Sequence, residues 1–360
     1  MKNKKFTIGL TLLMASTLVL TNCTKGKMNE APSPDYEFKS TQDMNRIQMI
    51  LSDIDEIGVT ASNQNTTLYP WQSYTPLSAM QGTNIIASSA ATVNATAGLY
   101  SVTFNNTIGK DGHVRNGVLS FNYGATTTLT GVDYGRQPAF CAVVSAIGYS
   151  VDDYSVAINN MKITNTTPVG FPAVTPYTPA NYNLTWRQDA DVTITHALGT
   201  GTNAAIETLS FNGSINKTLL NTKQGTAVPM PVYSSTQTAT TPTCYPSVGT
   251  ATYVGSFLNS AKAWYSYSGT GQGVLPDVGV YGVTITGLTR NFNSSPETFF
   301  KDPLTGTIVT PERHPFLSGM MSFKPGNKPT RDVDFGAGDN CDYNAKVTIS
   351  GITYDVDCKD

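Results

Sequence analysis

The chain has few charged residues and few histidines. Only 13% of its residues are Asp, Glu, Lys or Arg, about half of the ~25% that is usual in globular proteins. With a formal net charge of -2, the chain offers no overall basic character for binding a nucleic acid, and we expect no nucleic-acid partner. The histidines, His113, His196 and His314, lie far apart in the sequence. A local two-histidine metal motif is therefore absent, and we predict no metal site of that kind.

Sequence signatures of catalysis are equally scarce. The chain contains neither an H-E-x-x-H motif nor a G-x-S-x-G nucleophile elbow. Residues 269–273, Gly-Thr-Gly-Gln-Gly, are only superficially similar to a phosphate-binding loop, because no helical pattern follows them, and we expect them to form a turn. We predict no catalytic residue. A hydrolase whose active site is assembled from distant residues stays as the alternative.

The one sustained apolar run lies at the N-terminus. A basic start, Met1 to Lys5, precedes the uncharged stretch from Phe6 to Leu20. A run of about 15 residues suits a signal peptide and is short for a membrane span. We predict a signal peptide over 1–22 and lipid attachment at Cys23, because Leu20 stands three residues before it, as in a bacterial lipobox. Asn22 departs from the usual small residue, and an ordinary signal followed by a chance cysteine is the alternative.

A lipid at Cys23 would tie the mature chain to a membrane, since two or more acyl chains anchor a protein stably. Signal cleavage would remove three lysines and leave the mature side chains at about -5. Thr24 is not the Asp that often marks inner-membrane retention, and residues 25–27 are not acidic. We therefore expect an outer-membrane lipoprotein of the cell envelope, with its orientation left open.

A tether and a helix are expected next. Residues 23–39 contain Gly, Asn and Pro without an apolar period, which predicts a flexible tether. A capping-box pattern at Ser40 and helical spacing of isoleucines and Leu51 predict an amphipathic helix over 40–58, ending at Gly58. Its polar face is mostly acidic, so its apolar stripe is expected to pack on a sheet and not on a membrane.

The apolar period changes to two residues after about residue 98. Short alternating runs separated by Gly, Asn and Pro clusters predict an all-β body of antiparallel, sandwich-like sheets or a barrel-like sheet. About 320 residues exceed the usual size of one domain, which favours two. We predict a first β domain over 67–228, a linker or long loop over 229–246, and a second β domain over 247–360.

The end of the chain predicts a hairpin and a disulfide. Apolar alternation on both sides of residues 350–351 indicates a two-residue turn, which would place Cys358 opposite Tyr343. Cys341 would then lie on the diagonal at ~7 to 8 Å, slightly far for an unstrained disulfide. In an exported chain, the four cysteines after Cys23 suggest two disulfides, and three connectivities are open. We favour Cys341 with Cys358, and Cys141 with Cys244.

Two further groups of residues are candidates for ligand binding. Exposed aromatic side chains can stack on sugar rings, and this is a hypothesis for Trp71, Tyr74, Trp264 and Tyr267, with Trp264 in the core and Tyr267 at a strand edge as the alternative. Carboxylate pairs can bind Ca²⁺, although solvated turn carboxylates are the preferred interpretation. These pairs are Asp152 with Asp153, Asp189 with Asp191, and Asp339 with Asp342. No other cofactor is expected.

Two segments resemble a known family. Residues 102–105 and 110–119, which contain Asp111-Gly112-His113-Val114-Arg115-Asn116-Gly117, and residues 332–354, which contain Asp334-Phe335-Gly336 and Asn340-Cys341-Asp342, are similar to an uncharacterised family of Bacteroidota envelope lipoproteins. The resemblance implies a β-rich envelope protein and supplies no activity. We therefore expect a non-enzymatic binding or cell-surface structural role, with a glycan or a surface protein as partner. A secreted, glycan-active hydrolase is the alternative.

Overall fold

The computed structural model describes residues 34–62, 78–81, 84–87, 91–96, 99–109, 111–122, 141–166, 185–199, 204–220, 232–233, 251–252, 264–276, 278–291, 300–301, 308–309, 315–337 and 342–358. Contacts group Met1–Lys39 into one unit and Ser40–Asp360 into another. Among the described residues of the first unit, 34–39 are helical.

One helix, α1, spans Pro34–Ser62. Pro34 suits the first helical position, where its fixed φ is compatible with the helix and its missing N–H is not needed. The helix therefore begins earlier and ends later than the predicted 40–58. The prediction of a flexible tether is wrong for residues 34–39, and residues 23–33 lie outside the described part of the chain.

The rest of the described chain is almost entirely β-structure. Its strands are β1 Ser78–Gln81, β2 Asn84–Ala87, β3 Thr92–Thr96, β4 Leu99–Ile108, β5 Val114–Asn122, β6 Cys141–Val151, β7 Tyr154–Asn165, β8 Thr185–Leu198, β9 Ala205–Leu219, β10 Val232–Tyr233, β11 Ala251–Thr252, β12 Trp264–Leu275, β13 Gly279–Asn291, β14 Phe300–Lys301, β15 Ile308–Val309, β16 Phe316–Pro325, β17 Arg331–Asp334, β18 Asn344–Ile349 and β19 Ile352–Asp357.

Thirteen of these strands form a single antiparallel sheet, in the order β19-β18-β17-β16-β13-β12-β9-β8-β7-β6-β5-β4-β3. Three separate two-stranded pairs are β1 with β2, β10 with β11, and β14 with β15. The all-β antiparallel class with one N-terminal helix is confirmed. In place of the predicted sandwich-like sheets there is one long meander. The boundary predicted at 229–246 does not divide this sheet, because β9 pairs directly with β12.

The C-terminal hairpin has the predicted register. Ile349 pairs with Ile352 across a two-residue turn, and the positive φ angles of Ser350 and Gly351 match the turn type that suits the twist of a hairpin. The Cys358 N–H donates to the Tyr343 carbonyl at 2.8 Å, so the two residues are opposite each other, as predicted.

The structure contradicts a prediction about Cys358. Its thiol is free and buried, so the predicted pairing with Cys341 is wrong, and the side chain packs in the core as a small apolar group. Burial raises the pKa of the Cys358 thiol to about 12. Cys141 is disulfide-bonded, but Cys244 lies outside the described residues, and that pairing stays a prediction.

One face of the large sheet forms the core with α1. Side chains alternate along each strand, and inward residues such as Tyr100, Phe121 and Phe211 are at most 1% exposed. The helix contributes Ile47, Leu51, Ile54 and Ile57, each 0% exposed, and each such side chain stabilises the fold by roughly 1.5 to 3 kcal/mol. The apolar stripe of α1 therefore packs on the sheet, as predicted.

The polar face of α1 does not behave as its sequence suggests. Thr41, Asn45, Gln48, Ser52 and Asp55 are all buried, although an amphipathic helix normally exposes such residues to water. They recur at intervals of four, three, four and three residues, so they share one side of the helix. The interior of this fold therefore contains a second, polar stripe beside the apolar one.

The glycine run at residues 269–273 lies inside β12 and not in a turn, so that prediction is wrong. A Cβ on Gly271 would collide with the Phe211 ring, and one on Gly273 would collide with the Ser210 carbonyl. Phe211, from the neighbouring strand, is fully buried over this gap. The glycines therefore make room for a large side chain from the adjacent strand.

Candidate functional site

Most of the buried ionisable and hydrogen-bonding side chains described here lie between α1 and the inner face of the sheet. Contacts to the helix come from strands that are far apart in the sheet. Asn45 donates from Nδ2 to the carbonyl of Cys358 at 2.9 Å, and Gln188 of β8 donates from Nε2 to the carbonyl of Leu51 at 3.0 Å. Arg290 of β13 donates to Ser52. Polar groups thus fix the helix to the sheet along its length.

Arg115 of β5 is the centre of the first charge cluster. Its guanidinium donates to Asp53 from Nε at 3.1 Å and from Nη2 at 2.7 Å, and it also binds Asp111 from Nη1 at 3.0 Å. The Tyr149 hydroxyl donates to Asp53 at 3.1 Å. Arg115 is 1% exposed, and such bidentate charge-assisted bonds are strong and directional. This cluster joins the helix to β5, β6 and the loop before β5.

The titration of Asp111 reflects this pairing. Burial by itself would raise the pKa of the carboxyl, but the charge of Arg115 and that of His113 outweigh burial, and the pKa lies well below its usual range. Burial would lower the pKa of Arg115, yet Asp111 and Asp53 hold it well above its usual value. Both groups are therefore ionised at neutral pH.

His113 is bonded to a carboxylate at the edge of this cluster. Its Nδ1 lies 2.7 Å from Oδ2 of Asp152, whose other oxygen accepts the Val114 N–H at 2.8 Å. Burial would raise the pKa of Asp152, but the hydrogen bond from His113 outweighs it and the pKa is lowered. A histidine with a carboxylate also occurs in hydrolytic triads. Here the pair joins the turn after β6 to the start of β5.

Lys217 of β9 forms the second charge cluster. Its ammonium binds the Asp55 carboxylate, and it lies 4.4 Å from the ring centre of Tyr265 and 5.1 Å from that of Trp186. Burial would lower the pKa of Lys217, but Asp55 and the neighbouring rings raise it well above its usual value. A catalytic lysine needs a lowered pKa to act as a base or nucleophile. Lys217 is therefore a paired cation and not a reactive amine.

Glu56 completes the acidic end of the helix. Burial raises the pKa of its carboxyl to about 7, and nearby Lys217 opposes that rise while Asp55 adds to it. The side chain is half-buried. The Glu56 carboxyl therefore changes charge near neutral pH.

A small cavity lies beside the second cluster, with a volume of about 10 Å³. Pockets for small-molecule ligands are typically ~300 to 1,000 Å³, so this space suits a single water molecule. Its polar lining comes from Gln48, Ser52, Asp55, Gln188, Lys217 and Tyr267.

The outer face of the sheet has a different chemistry. Register places a row of polar residues side by side across nine neighbouring strands. We call it the outer polar row, and it consists of Lys162, Asp189, Ser214, Thr270, Thr284, Ser322, Asp332, Thr348 and Thr353. Hydrogen bonds join neighbouring members, such as Ser322 to Asp332 at 2.6 Å. The row is a broad surface of hydroxyl and carboxylate groups.

The predicted ligand-stacking aromatics are not brought together among the described residues. Trp71 and Tyr74 lie outside them. Tyr267 is 7% exposed, accepts a hydrogen bond from Ser52 at 3.2 Å and packs edge-on against Phe316. The stacking hypothesis is therefore wrong for Tyr267. Trp264 is half-buried and lies on the opposite face of the same strand. The alternative, with Trp264 in the core and Tyr267 at a strand edge, is therefore wrong as well, because Tyr267 is the core residue.

The carboxylate pairs suggested for Ca²⁺ have protein partners where they are described. Asp152 bonds to His113, Asp189 accepts from Arg187 at 2.7 Å, and Asp191 accepts from Asn159 at 3.1 Å. Asp339 lies outside the described residues. No cluster of three or more metal-binding side chains is found within the described part of the chain.

Sequence reasoning missed the residues that matter most inside the fold. Lys217 lies between Ile215 and Leu219 on the inward side of β9, so a charged residue interrupts an apolar alternation. That interruption was a usable signal, because a charge at an inward position needs a buried partner. Asp55 could not be chosen as the partner from the sequence, since 162 residues separate the two.

No family model, no curated protein and no solved structure matches the chain. Across the residues described, no helix is long and apolar enough to cross a membrane.

Proposed function

We propose that this chain is a membrane-anchored envelope lipoprotein whose folded part has a non-enzymatic binding or cell-surface structural role, with an extracellular or envelope glycan as the partner to test first. The observation that carries the proposal is the separation of polar groups between the two faces of the sheet. Buried ions are paired with each other on the inner face, and hydrogen-bonding groups are displayed on the outer one.

The inner charges support a role in the fold. Asp53, Asp55, Arg115 and Lys217 each bind an oppositely charged group, and general acid–base catalysis requires a group whose pKa lies near the working pH and that reaches a substrate. Lys217 and Arg115 have pKa values well above neutral. These residues are therefore better suited to fixing α1 than to transferring protons.

The outer polar row supports a role in binding. Thr270 and Thr284 are exposed and adjacent on β12 and β13, and hydroxyl groups both donate and accept hydrogen bonds. Sugars present the same kind of group, so a neutral glycan chain is a suitable partner for a broad hydroxyl surface. A solvated sheet face has the same composition, and binding must therefore be measured.

A glycan array probed with the chain from Thr24 onward tests the binding role. We expect binding to at least one glycan class without cleavage, and loss of binding when Thr270→Glu and Thr284→Glu place charge in the outer polar row. Thr208→Glu, at an exposed position on β9 outside the row, is the matched control. Absence of any bound glycan would count against this partner, and release of shortened glycans would favour the hydrolase alternative.

The anchor is supported by the lipobox-like residues that end at Cys23. Replacing Cys23 with Ser should abolish palmitate labelling and release the protein from the membrane fraction. A variant that fractionates with membranes as before would overturn the lipoprotein assignment. Separate fractionation of the inner and outer membranes tests the expected outer-membrane location.

A further inference from the structure

We propose that one ordered water molecule is bound inside the fold, between α1 and the inner face of the sheet, in the cavity beside Gln48. The Nε2 group of Gln48 is buried, and no hydrogen-bond partner is found for it among the described residues. A buried amide N–H without a partner destabilises a fold, because it has lost its hydrogen bonds to water and gained none in return. This cost makes a partner inside the cavity energetically favourable.

The volume of the cavity limits what can bind in it to a single water molecule. At about 10 Å³, it matches the roughly 10 to 15 Å³ that a single water molecule requires and is too small for a second one. A purely apolar space of this size would stay dry. This one is lined by polar residues such as Gln48, Asp55 and Gln188 beside apolar ones such as Ile215 and Phe316, and a buried water commonly makes two to four hydrogen bonds.

The hydrogen-bonding chemistry also fits water. Water can accept the Gln48 N–H, and it has two hydrogens to donate to acceptors on lining residues such as Asp55 and Gln188. Because water both donates and accepts, the assignment holds whichever way the Gln48 amide is turned. An ion fits less well, since Lys217 repels a cation and Asp55 repels an anion at the same wall.

Two further buried polar atoms lie on the polar stripe of α1. Thr41 Oγ1 and Asn45 Oδ1 are likewise buried, without hydrogen-bond partners in the described part of the chain, and they lie on the same side of the helix as Gln48. The Asn45 amide also bonds directly to the Cys358 carbonyl, so the proposed water adds to the direct bonds between this side of the helix and the sheet. The inference concerns the interior and does not depend on the proposed binding function.

Nuclear magnetic resonance on the chain from Thr24 onward, labelled with ¹⁵N only in glutamine, tests the proposal. We expect the side-chain amide of Gln48 to show a dipolar cross-peak to a long-lived bound water, and the Gln48→Met variant to identify that signal by its disappearance. The Gln42 amide, which donates to the Asp357 carbonyl at 3.1 Å in an exposed position, is the internal control and should show only short-lived surface water.

A Gln48 amide with no contact to long-lived water would overturn the proposal. If Gln48→Met does not fold, a crystal structure of the unaltered chain decides the question. An electron-density peak at about 2.7 to 3.2 Å from Gln48 Nε2 would confirm the water. Featureless density in the cavity, or a Gln48 amide bonded directly to protein, would refute it.

Discussion

The inner and outer faces of the sheet both contain ion pairs, but their surroundings differ. Arg187 and Asp189 on the outer face lie 2.7 Å apart with side chains 51% and 38% exposed, whereas Arg115 and Asp53 on the inner face lie at the same distance with side chains 1% and 20% exposed. Water screens the first pair and solvates either partner when the other is removed. The buried pair has no such replacement. The two pairs have the same N–O distance, but we expect the buried pair to matter far more for the free energy of unfolding.

The largest effect should come from Arg115→Met. The variant keeps much of the side-chain volume but leaves Asp53 and Asp111 without their shared cation, and breaking a buried pair in this way costs about 3 to 5 kcal/mol. Urea unfolding followed by circular dichroism measures the loss. A change below about 1 kcal/mol would show that the cluster contributes no more than a surface pair.

The next effect concerns the pH dependence of Glu56. Its pKa is about 7 in the folded protein, against an ordinary value of 4.5, so between these two pH values the unfolded chain loses the proton first. The contribution of Glu56 therefore favours unfolding increasingly as pH rises from 4.5 to 7. The cost is roughly 1 to 3 kcal/mol, because a half-buried group is partly screened.

Glu56→Gln removes this titration while keeping the shape of the side chain. Relative to the unaltered protein, the variant should gain stability between pH 4.5 and pH 8, by the same roughly 1 to 3 kcal/mol. Urea unfolding of both proteins at the two pH values gives the comparison. A stability difference that does not change with pH would mean that Glu56 titrates as it does in an unfolded chain.

The smallest effect should come from Arg187→Met on the outer face. Exposed pairs contribute about 0 to 1 kcal/mol, so the free energy of unfolding should hardly change, and raising the salt concentration should reduce even that change. This variant is the matched control for Arg115→Met, since both remove an arginine from a pair of the same distance. A loss comparable to that of Arg115→Met would remove the distinction between the two faces.

Local sequence patterns predicted the fold class, but they did not predict which residues pair over long distances in the sequence. Period-two alternation after about residue 98 predicted the antiparallel β body, and the register of the last hairpin followed from its turn. The burial of the polar side of α1 does not follow from the helical pattern, because amphipathicity assumes that a helix has one buried face. Nothing local indicates that Asp53 and Asp55 have partners on β5 and β9, since those partners follow only from the order of the strands.

The buried charges serve the fold as pairs, and a double-mutant cycle on Asp55 and Lys217 measures that pairing. Asp55→Leu and Lys217→Met should each destabilise the protein by about 3 to 5 kcal/mol, because each leaves one buried charge unpaired. The double variant leaves neither, and it should recover at least about 2 kcal/mol of the summed loss. If urea unfolding shows that the two losses simply add, the charges do not act as a pair and the account is contradicted.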